Sequence, residues 1–270
     1  MKYQLRDYQK KASDAAVMCF KMKSGRNGLL VLPTGAGKSL IIADIAARLE
    51  EPLIVFQPNK EILEQNFAKL QTYGIWDCSI YSASVGRKEI SRITFATIGS
   101  VIRHMKDFQH FKNILIDECH LVKPSDGMYK RFFEQAERRI VGLTATPYRL
   151  YSCMNGSMLK FLTRTRPRVF SQVLYYCQVS ELLAKGFLSR LKYYDVTRID
   201  LSKVRRNSSG ADFDDASLSD EFRRVDLYGY LISIVKRLLH PKEHVKACLF
   251  SPGSPPRLKC LHGRFLTAPL

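Results

Sequence analysis

One short segment has the residue types needed to hold a polyphosphate: Leu32, Pro33, Thr34, Gly35, Ala36, Gly37, Lys38 and Ser39. It follows an apolar run at 28–32, which predicts a buried strand, and it precedes an apolar helix predicted at 40–49. The glycines let the loop curl, so that backbone N–H groups converge on phosphate oxygens. In that arrangement Lys38 contacts the β- and γ-phosphates and Ser39 binds Mg²⁺. An ordinary glycine-rich turn is the alternative.

Two acidic residues follow another apolar run. Residues 113–116 predict a buried strand whose carboxyl end delivers Asp117 and Glu118. Burial of two adjacent acids is costly unless a cation accompanies them. Asp117 is therefore a candidate Mg²⁺ ligand, and Glu118 is a candidate base that orients and deprotonates a water molecule. A purely structural acid pair is the alternative.

Further polar side chains are expected beside these acids. His120 lies two residues after Glu118, and Thr144 and Thr146 follow a strand predicted at 139–143. Their hydroxyl groups can hydrogen-bond to His120 and to the acids, which would couple the nucleotide site to a neighbouring surface. A turn that happens to contain threonines is the simpler interpretation.

Gln9 is a candidate reader of a nucleotide base. Its amide both donates and accepts hydrogen bonds, so it can pair with the N6 and N7 edge of adenine. It precedes the Gly-Lys-Ser segment by some thirty residues. Taken alone, a glutamine at the surface is the more ordinary interpretation.

A second set of residues suits contacts with a nucleic-acid backbone. The predicted strand at 52–56 ends in a polar turn before a helix, and a turn at that end of a parallel sheet is where ligands gather. Helix N-termini and small polar side chains bind phosphate, although a plain connection or helix capping would also explain them. The candidates are Pro58, Asn59, Lys60, Thr97 and Ser100.

Composition limits the classes of protein to consider. The 270 residues carry a formal net charge of +18, which favours a polyanionic partner such as nucleic acid over a neutral one. No apolar run is long enough to span a membrane, so no membrane partner is expected. The seven cysteines are scattered and odd in number, which fits a reducing cytoplasm better than a disulfide framework.

Taken in order, these motifs resemble those of the superfamily 2 helicases, and most nearly the RadD-type bacterial repair helicases and related phage DEAD/DEAH-box proteins. The motifs are Leu-Arg-Asp-Tyr-Gln at 5–9, the loop at 32–39, Gln-Pro-Asn-Lys-Glu at 57–61, Thr-Ile-Gly-Ser at 97–100, Asp-Glu-Cys-His at 117–120 and Leu-Thr-Ala-Thr-Pro-Tyr-Arg at 143–149.

The resemblance implies a RecA-like domain that uses ATP and Mg²⁺ and binds DNA or RNA, with DNA favoured. It implies that Gln9 reads adenine, and we expect Arg6 from the same motif to contact the nucleotide. It also implies that His120, Thr144 and Thr146 couple hydrolysis to movement of the nucleic acid.

Strands and helices alternate through residues 1–150, which predicts a doubly wound, mostly parallel sheet. Residues 151–190 are expected to form a basic linker or appended element. Residues 191–270 are expected to be an incomplete start of a second RecA-like lobe with an atypical tail. Because arginines from such a lobe complete the ATP site in the family, we expect weak hydrolysis and no unwinding by this chain alone.

Two other functions remain open at this point. One is a non-catalytic remnant that binds nucleic acid or a partner through its positive charge. The other is a small-molecule P-loop kinase, which the order of the motifs and the Asp-Glu-Cys-His segment disfavour. The sequence leaves the oligomeric state open.

Overall fold

The computed structural model describes residues 4–22, 26–124, 127–153, 156–189, 200–206, 213–227, 229, 230 and 233. The chain divides into two units. The first comprises Met1–Tyr151 and Leu159–Leu191, and the second comprises Ser152–Met158 and Lys192–Leu270. Within the described residues, none of the helices has the length and apolar character needed to cross a membrane.

An eight-stranded sheet forms the centre of the first unit, in the order β10-β1-β7-β6-β2-β5-β3-β4. Neighbouring strands are parallel except for the short antiparallel pair β3 and β4. The strands in chain order are Gly28–Val31 (β1), Leu53–Phe56 (β2), Cys78–Ser82 (β3), Arg87–Lys88 (β4), Ile93–Ala96 (β5), Asn113–Ile116 (β6), Arg139–Thr144 (β7), Tyr148–Cys153 (β8), Gly156–Phe161 (β9) and Gln172–Tyr176 (β10).

Helices connect these strands. They are Asp7–Lys21 (α1), Lys38–Arg48 (α2), Lys60–Thr72 (α3), Ile98–Val101 (α4), Met128–Phe133 (α5), Val179–Ala184 (α6) and Asp215–Arg224 (α7). Short 3₁₀ turns occur at Met105–Phe108, Cys119–Leu121, Leu162–Arg164 and Leu201–Lys203. Most of the strand–helix alternation predicted for residues 1–150 is therefore present.

The sheet is buried on both faces. Successive residues of a strand point to opposite faces, and β2 shows this directly. Val55 belongs to one hydrophobic cluster, together with residues of α1, α2 and α3. Ile54 and Phe56 belong to a second cluster, together with Phe132 of α5. Two packed faces around a mostly parallel sheet confirm the predicted RecA-like, doubly wound fold class.

The structure differs from the sequence-based division at residues 151–190. Strand β10 lies within this segment and pairs in parallel with β1, so it extends the main sheet. The segment is therefore not a linker throughout, and the first unit continues past the boundary expected at residue 150. Two parallel strands that pair can lie far apart in the sequence, so the local sequence around β10 does not reveal that its partner is β1.

The predicted second lobe lies largely outside the described residues. That part includes residues 191–199 and the tail from 234 onwards. Within the second unit, α7 begins after Asp214, whose carboxylate accepts a hydrogen bond from the Ser217 N–H at 2.9 Å. The second RecA-like lobe stays a prediction.

Close packing at Gly142 provides a test of the core. A Cβ atom added at this position of β7 would lie 2.6 Å from Cys119 Sγ and 2.8 Å from Phe170 Cε1. Both neighbours are buried and have little room to move. We therefore expect Gly142→Ala to lower the free energy of unfolding by about 1–3 kcal/mol, as overpacking does.

Denaturant unfolding of the two forms measures this loss. Gly99→Ala is the matched control, because an added Cβ there meets nothing within 4 Å. Equal stability of the Gly142→Ala form and the parent chain would show that the core accommodates the extra carbon.

Candidate functional site

The carboxyl ends of five central strands bring most of the predicted site residues to one edge of the sheet. The loop at 32–37 follows β1 and leads directly into α2. Gly35 has φ +82° and Gly37 has φ +76°, values in the left-handed region that favours glycine. Gly37 is the N-cap of α2, so the first N–H groups of that helix have no partner within the helix. These donors, with the positive end of the helix dipole, suit an anion.

Lys38 and Glu118 meet at this edge. Lys38 Nζ lies 2.6 Å from Glu118 Oε1, and both side chains are largely buried. Glu118 adopts φ +48° and ψ +48°, an unusual conformation for a residue with a side chain. Such backbone strain persists only when the surroundings enforce it, and it is concentrated at functional sites. The expected approach of the loop lysine to the acids after β6 is therefore present in the structure.

Asp117 is buried next to this ion pair. Burial raises the pKa of its carboxyl group to about 6, and the adjacent Glu118 charge adds to the effect, whereas Lys38 opposes it. Asp117 Oδ1 accepts the Glu118 N–H at 3.0 Å, and its Oδ2 accepts a hydrogen bond from Asn66 Nδ2 at 3.2 Å. A nearby cation would offset the cost of keeping this carboxylate ionised.

Sequence reasoning missed Asn66, and it gave no role to the partner of Asn66, Gln57, which is the first residue of the motif at 57–61. Asn66 Nδ2 lies 3.1 Å from Gln57 Oε1, and both residues are buried. A signal existed, because Asn66 occupies a core position in the helical pattern of α3 with Leu63, Phe67 and Leu70. An amide at such a position requires buried polar partners, and Asp117 is one of them.

His120 connects the acids to β7. Its Nδ1 atom lies 3.0 Å from Thr144 Oγ1 and 3.3 Å from Glu118 Oε2. The Thr146 N–H donates to Thr144 Oγ1 at 3.0 Å. Thr144 is thus the direct partner of His120, and Thr146 joins the network through its backbone. Coupling of hydrolysis to movement through these residues stays a prediction.

The N-terminal motif packs directly on the loop. Gln9 Nε2 and the Tyr8 hydroxyl both donate to the Ala36 carbonyl oxygen at 2.9 Å. Gln9 Oε1 accepts the N–H of Arg6, the N-cap residue, at 2.9 Å and so helps to cap the N-terminus of α1. Gln9 is therefore buried against the loop at 32–37 and is not a solvent-exposed surface residue.

The five candidate nucleic-acid contacts line one open groove of about 520 Å³ beside this site. Six further residues line the groove, and they include Lys88, Arg103 and His104, which the sequence did not single out. Among the described residues that line the groove, three are Lys or Arg and none is Asp or Glu. The five predicted members are Pro58, Asn59, Lys60, Thr97 and Ser100.

Hydrogen bonds hold the polar residues of the groove in place. Asn59 Oδ1 caps α3 by accepting the Ile62 N–H at 2.9 Å. Thr97 Oγ1 lies 2.9 Å from Ser100 Oγ, which also accepts the Ala83 N–H at 2.9 Å. Thr97 makes no side-chain cap at the start of α4, so helix capping does not account for its position.

A family model described as "Type III restriction enzyme, res subunit" matches residues 2–149, more than half of the chain. The chain belongs to this family. Its relatives identify it as a superfamily 2 helicase, as the ordered motifs predicted. The nearer likeness to RadD-type proteins stays a prediction.

Two curated relatives illustrate the extent of the match. The DNA 3'-5' translocase XPB2 of Sulfurisphaera tokodaii is 29% identical over 151 residues, which cover 55% of this chain and 32% of that protein. The putative ATP-dependent RNA helicase L538 of Acanthamoeba polyphaga mimivirus is 24% identical over 259 residues, covering 89% of this chain and 51% of that protein. The helicase chain thus spans about a third to a half of the length of these relatives.

A solved structure with a similar fold is a nuclease-deletion mutant of the Type ISP restriction-modification enzyme LlaGI in complex with a DNA substrate mimic. The TM-score is 0.51 at 14% identity, and the match covers 68% of this chain and 18% of that one. This likeness concerns the fold alone.

Proposed function

We propose that this superfamily 2 helicase chain binds ATP with Mg²⁺ and couples hydrolysis to movement on DNA. The observation that carries the proposal is the 2.6 Å contact between Lys38 Nζ and Glu118 Oε1. It joins the loop after β1 to the acids after β6, which are the two parts that phosphoryl transfer to water requires. An assay of ATP hydrolysis by the 270-residue chain, with and without single-stranded and duplex DNA, tests the proposal.

Each residue of this edge has a distinct role in the proposal. The N–H groups at the start of α2 and the ammonium group of Lys38 bind the phosphates. Glu118 accepts the proton of the attacking water molecule. Gln9, fixed against Ala36, presents the remainder of its amide to the base, and Arg6 lies beside it.

The donor set of the site fits Mg²⁺, which prefers oxygen ligands and takes only one or two carboxylates alongside phosphates and water. Asp117 supplies a buried carboxylate and Ser39 supplies a hydroxyl in the first turn of α2. These two residues would hold the ion, which would neutralise phosphate charge when bound. The raised pKa of Asp117 supports the assignment, because a cation relieves the burial of that charge.

The groove of about 520 Å³ is the proposed DNA-contacting surface. Its cations are exposed, and a basic groove without acids is typical of a surface that follows a phosphate backbone. We favour DNA because the XPB2 relative is described as a DNA translocase.

Removal of the groove cations should change the salt dependence of DNA binding. Each Lys or Arg that neutralises a phosphate contributes roughly 0.7–0.9 to the slope of log affinity against log salt concentration. We expect the triple variant Lys60→Ala/Lys88→Ala/Arg103→Ala to reduce the magnitude of that slope by about 2. Fluorescence anisotropy with labelled single-stranded and duplex DNA at several salt concentrations measures it.

The control is Lys10→Ala/Lys11→Ala, which removes exposed charge from α1, outside the groove. An unchanged slope in the triple variant, or an equal change in the control, would place the DNA elsewhere on the surface.

A non-catalytic DNA- or partner-binding role is the second candidate, and the basic groove favours it because charge alone supports binding. The weak hydrolysis expected for this chain is compatible with both. DNA-stimulated ATP turnover that depends on Glu118 separates the catalytic role from simple binding.

A further inference from the structure

The turn that follows α6 takes no part in the roles proposed above. Gly186, at φ +67°, ends the helix and donates its N–H to the Leu183 carbonyl oxygen at 3.1 Å. The Phe187 N–H donates to the Leu182 carbonyl oxygen at 2.8 Å. These bonds fix the backbone from which the Phe187 side chain extends.

Phe187 contacts the N-terminal motif. The guanidinium carbon of Arg6 lies 4.2 Å from the centroid of the Phe187 ring, within the range of a cation–π contact. The Tyr8 ring lies 5.8 Å from the same ring, at an interplanar angle of 37°. Tyr8 in turn donates its hydroxyl hydrogen to Ala36 of the phosphate loop.

The next residue of the turn reaches the loop itself. A Cβ added at Gly35 would lie 2.9 Å from Leu188 Cδ2, so Leu188 covers this glycine closely. The turn therefore touches the loop on one side and the candidate base-reading motif on the other. All of these residues belong to the first unit.

We propose that Phe187 is a positioning residue of the nucleotide-base site. Its ring contacts one face of the planar Arg6 guanidinium group and so orients it. The opposite face of the guanidinium group can then stack on a purine while Gln9 hydrogen-bonds to the edge of that purine. A guanidinium plane stacks well on π surfaces, and pre-orientation reduces the entropy lost when a ligand binds. The inference rests on the proposed ATP site and extends it to recognition of the base.

The position of Phe187 fits this role better than a purely structural one. The ring is only half-buried, and Arg6 is exposed. Phe187 packs at the edge of the first hydrophobic cluster and is not one of its buried members, so truncation of the ring removes an edge contact and no core side chain. We therefore expect its loss to affect base recognition more than folding.

The test compares a ligand that has a base with one that has none. Isothermal titration measures binding of ATP and of inorganic tripolyphosphate, each with Mg²⁺, to the full chain and to Phe187→Leu and Phe187→Tyr. We expect Phe187→Leu to weaken ATP binding about 3- to 10-fold while tripolyphosphate binding stays unchanged. Phe187→Tyr, which keeps an aromatic face, should restore ATP binding. Val179→Ala, an exposed change on α6, is the control.

Each other outcome is decisive. Unchanged ATP affinity in Phe187→Leu, or an equal loss for ATP and tripolyphosphate, would overturn the role of Phe187 and leave the ATP site standing. Failure of the unaltered chain to bind either ligand would overturn the proposed function and this inference with it. Thermal unfolding of each variant separates these results from a loss of fold.

Discussion

Glu118→Gln is expected to abolish ATP hydrolysis while ATP still binds. The substitution keeps the size of the side chain but removes the group that would accept a proton from the attacking water molecule. General-base catalysis contributes about 10²- to 10⁴-fold to rate, so a loss of this size is expected in single-turnover hydrolysis. The measurement uses excess enzyme and labelled ATP, because turnover by this chain is expected to be slow.

Binding in the same variant should be as tight as in the parent chain, or tighter. Glu118 Oε1 now lies 2.6 Å from Lys38 Nζ and competes with phosphate for that ammonium group. The neutral amide of glutamine competes less well, because a charged partner forms the stronger hydrogen bond.

Glu134→Gln is the matched control, since Glu134 is an exposed glutamate that forms a surface pair with Lys130 after α5. Surface pairs of this type have small energies, so its hydrolysis should equal that of the parent. Normal hydrolysis by Glu118→Gln would remove the catalytic role from Glu118.

Lys38→Ala is expected to give the largest loss of nucleotide affinity. The change removes the positive charge that the loop directs at the phosphates, and hydrogen bonds to charged groups contribute about 1.5–3 kcal/mol. That range corresponds to a loss of about 10- to 100-fold in ATP affinity at 25 °C. Titration calorimetry with ATP and Mg²⁺ measures the loss.

The same variant separates the two candidate functions. DNA binding depends on the groove cations, and Lys38 does not line that groove. Lys38→Ala should therefore keep the salt-sensitive DNA affinity of the parent. The control is Lys11→Ala, on the exposed side of α1, which should keep both the ATP affinity and the DNA affinity of the parent. An ATP affinity in Lys38→Ala equal to that of the parent would contradict the assignment of the phosphate site.

Local chemistry explains why the sequence predicted so much of the site. Gly35 and Gly37 adopt positive φ angles that other residues rarely tolerate, so their pattern specified the loop conformation. Asp117 follows a short apolar strand, and the end of a buried strand in such a sheet delivers its next residues to one edge. These are local rules, which hold before any tertiary contact forms.

Nonlocal pairing explains what the sequence did not predict. Strands β1 and β6 are separated in the sheet by β7, and β10 returns from far along the chain to pair with β1. The bond between Asn66 and Asp117 joins residues 51 positions apart. Such contacts depend on which strands become neighbours, and many strand orders satisfy the same alternation of strands and helices.

The sequence by itself determined the residue types of the site, the order of its motifs and the alternation that produces a doubly wound sheet. Tertiary structure alone decided that the side chains of Lys38 and Glu118 form a direct ion pair, that Lys88, Arg103 and His104 line the same groove as the five predicted residues, and that Phe187 lies against Arg6. The physical reason is that backbone conformation follows from neighbouring residues, whereas these contacts form only after folding brings distant segments together.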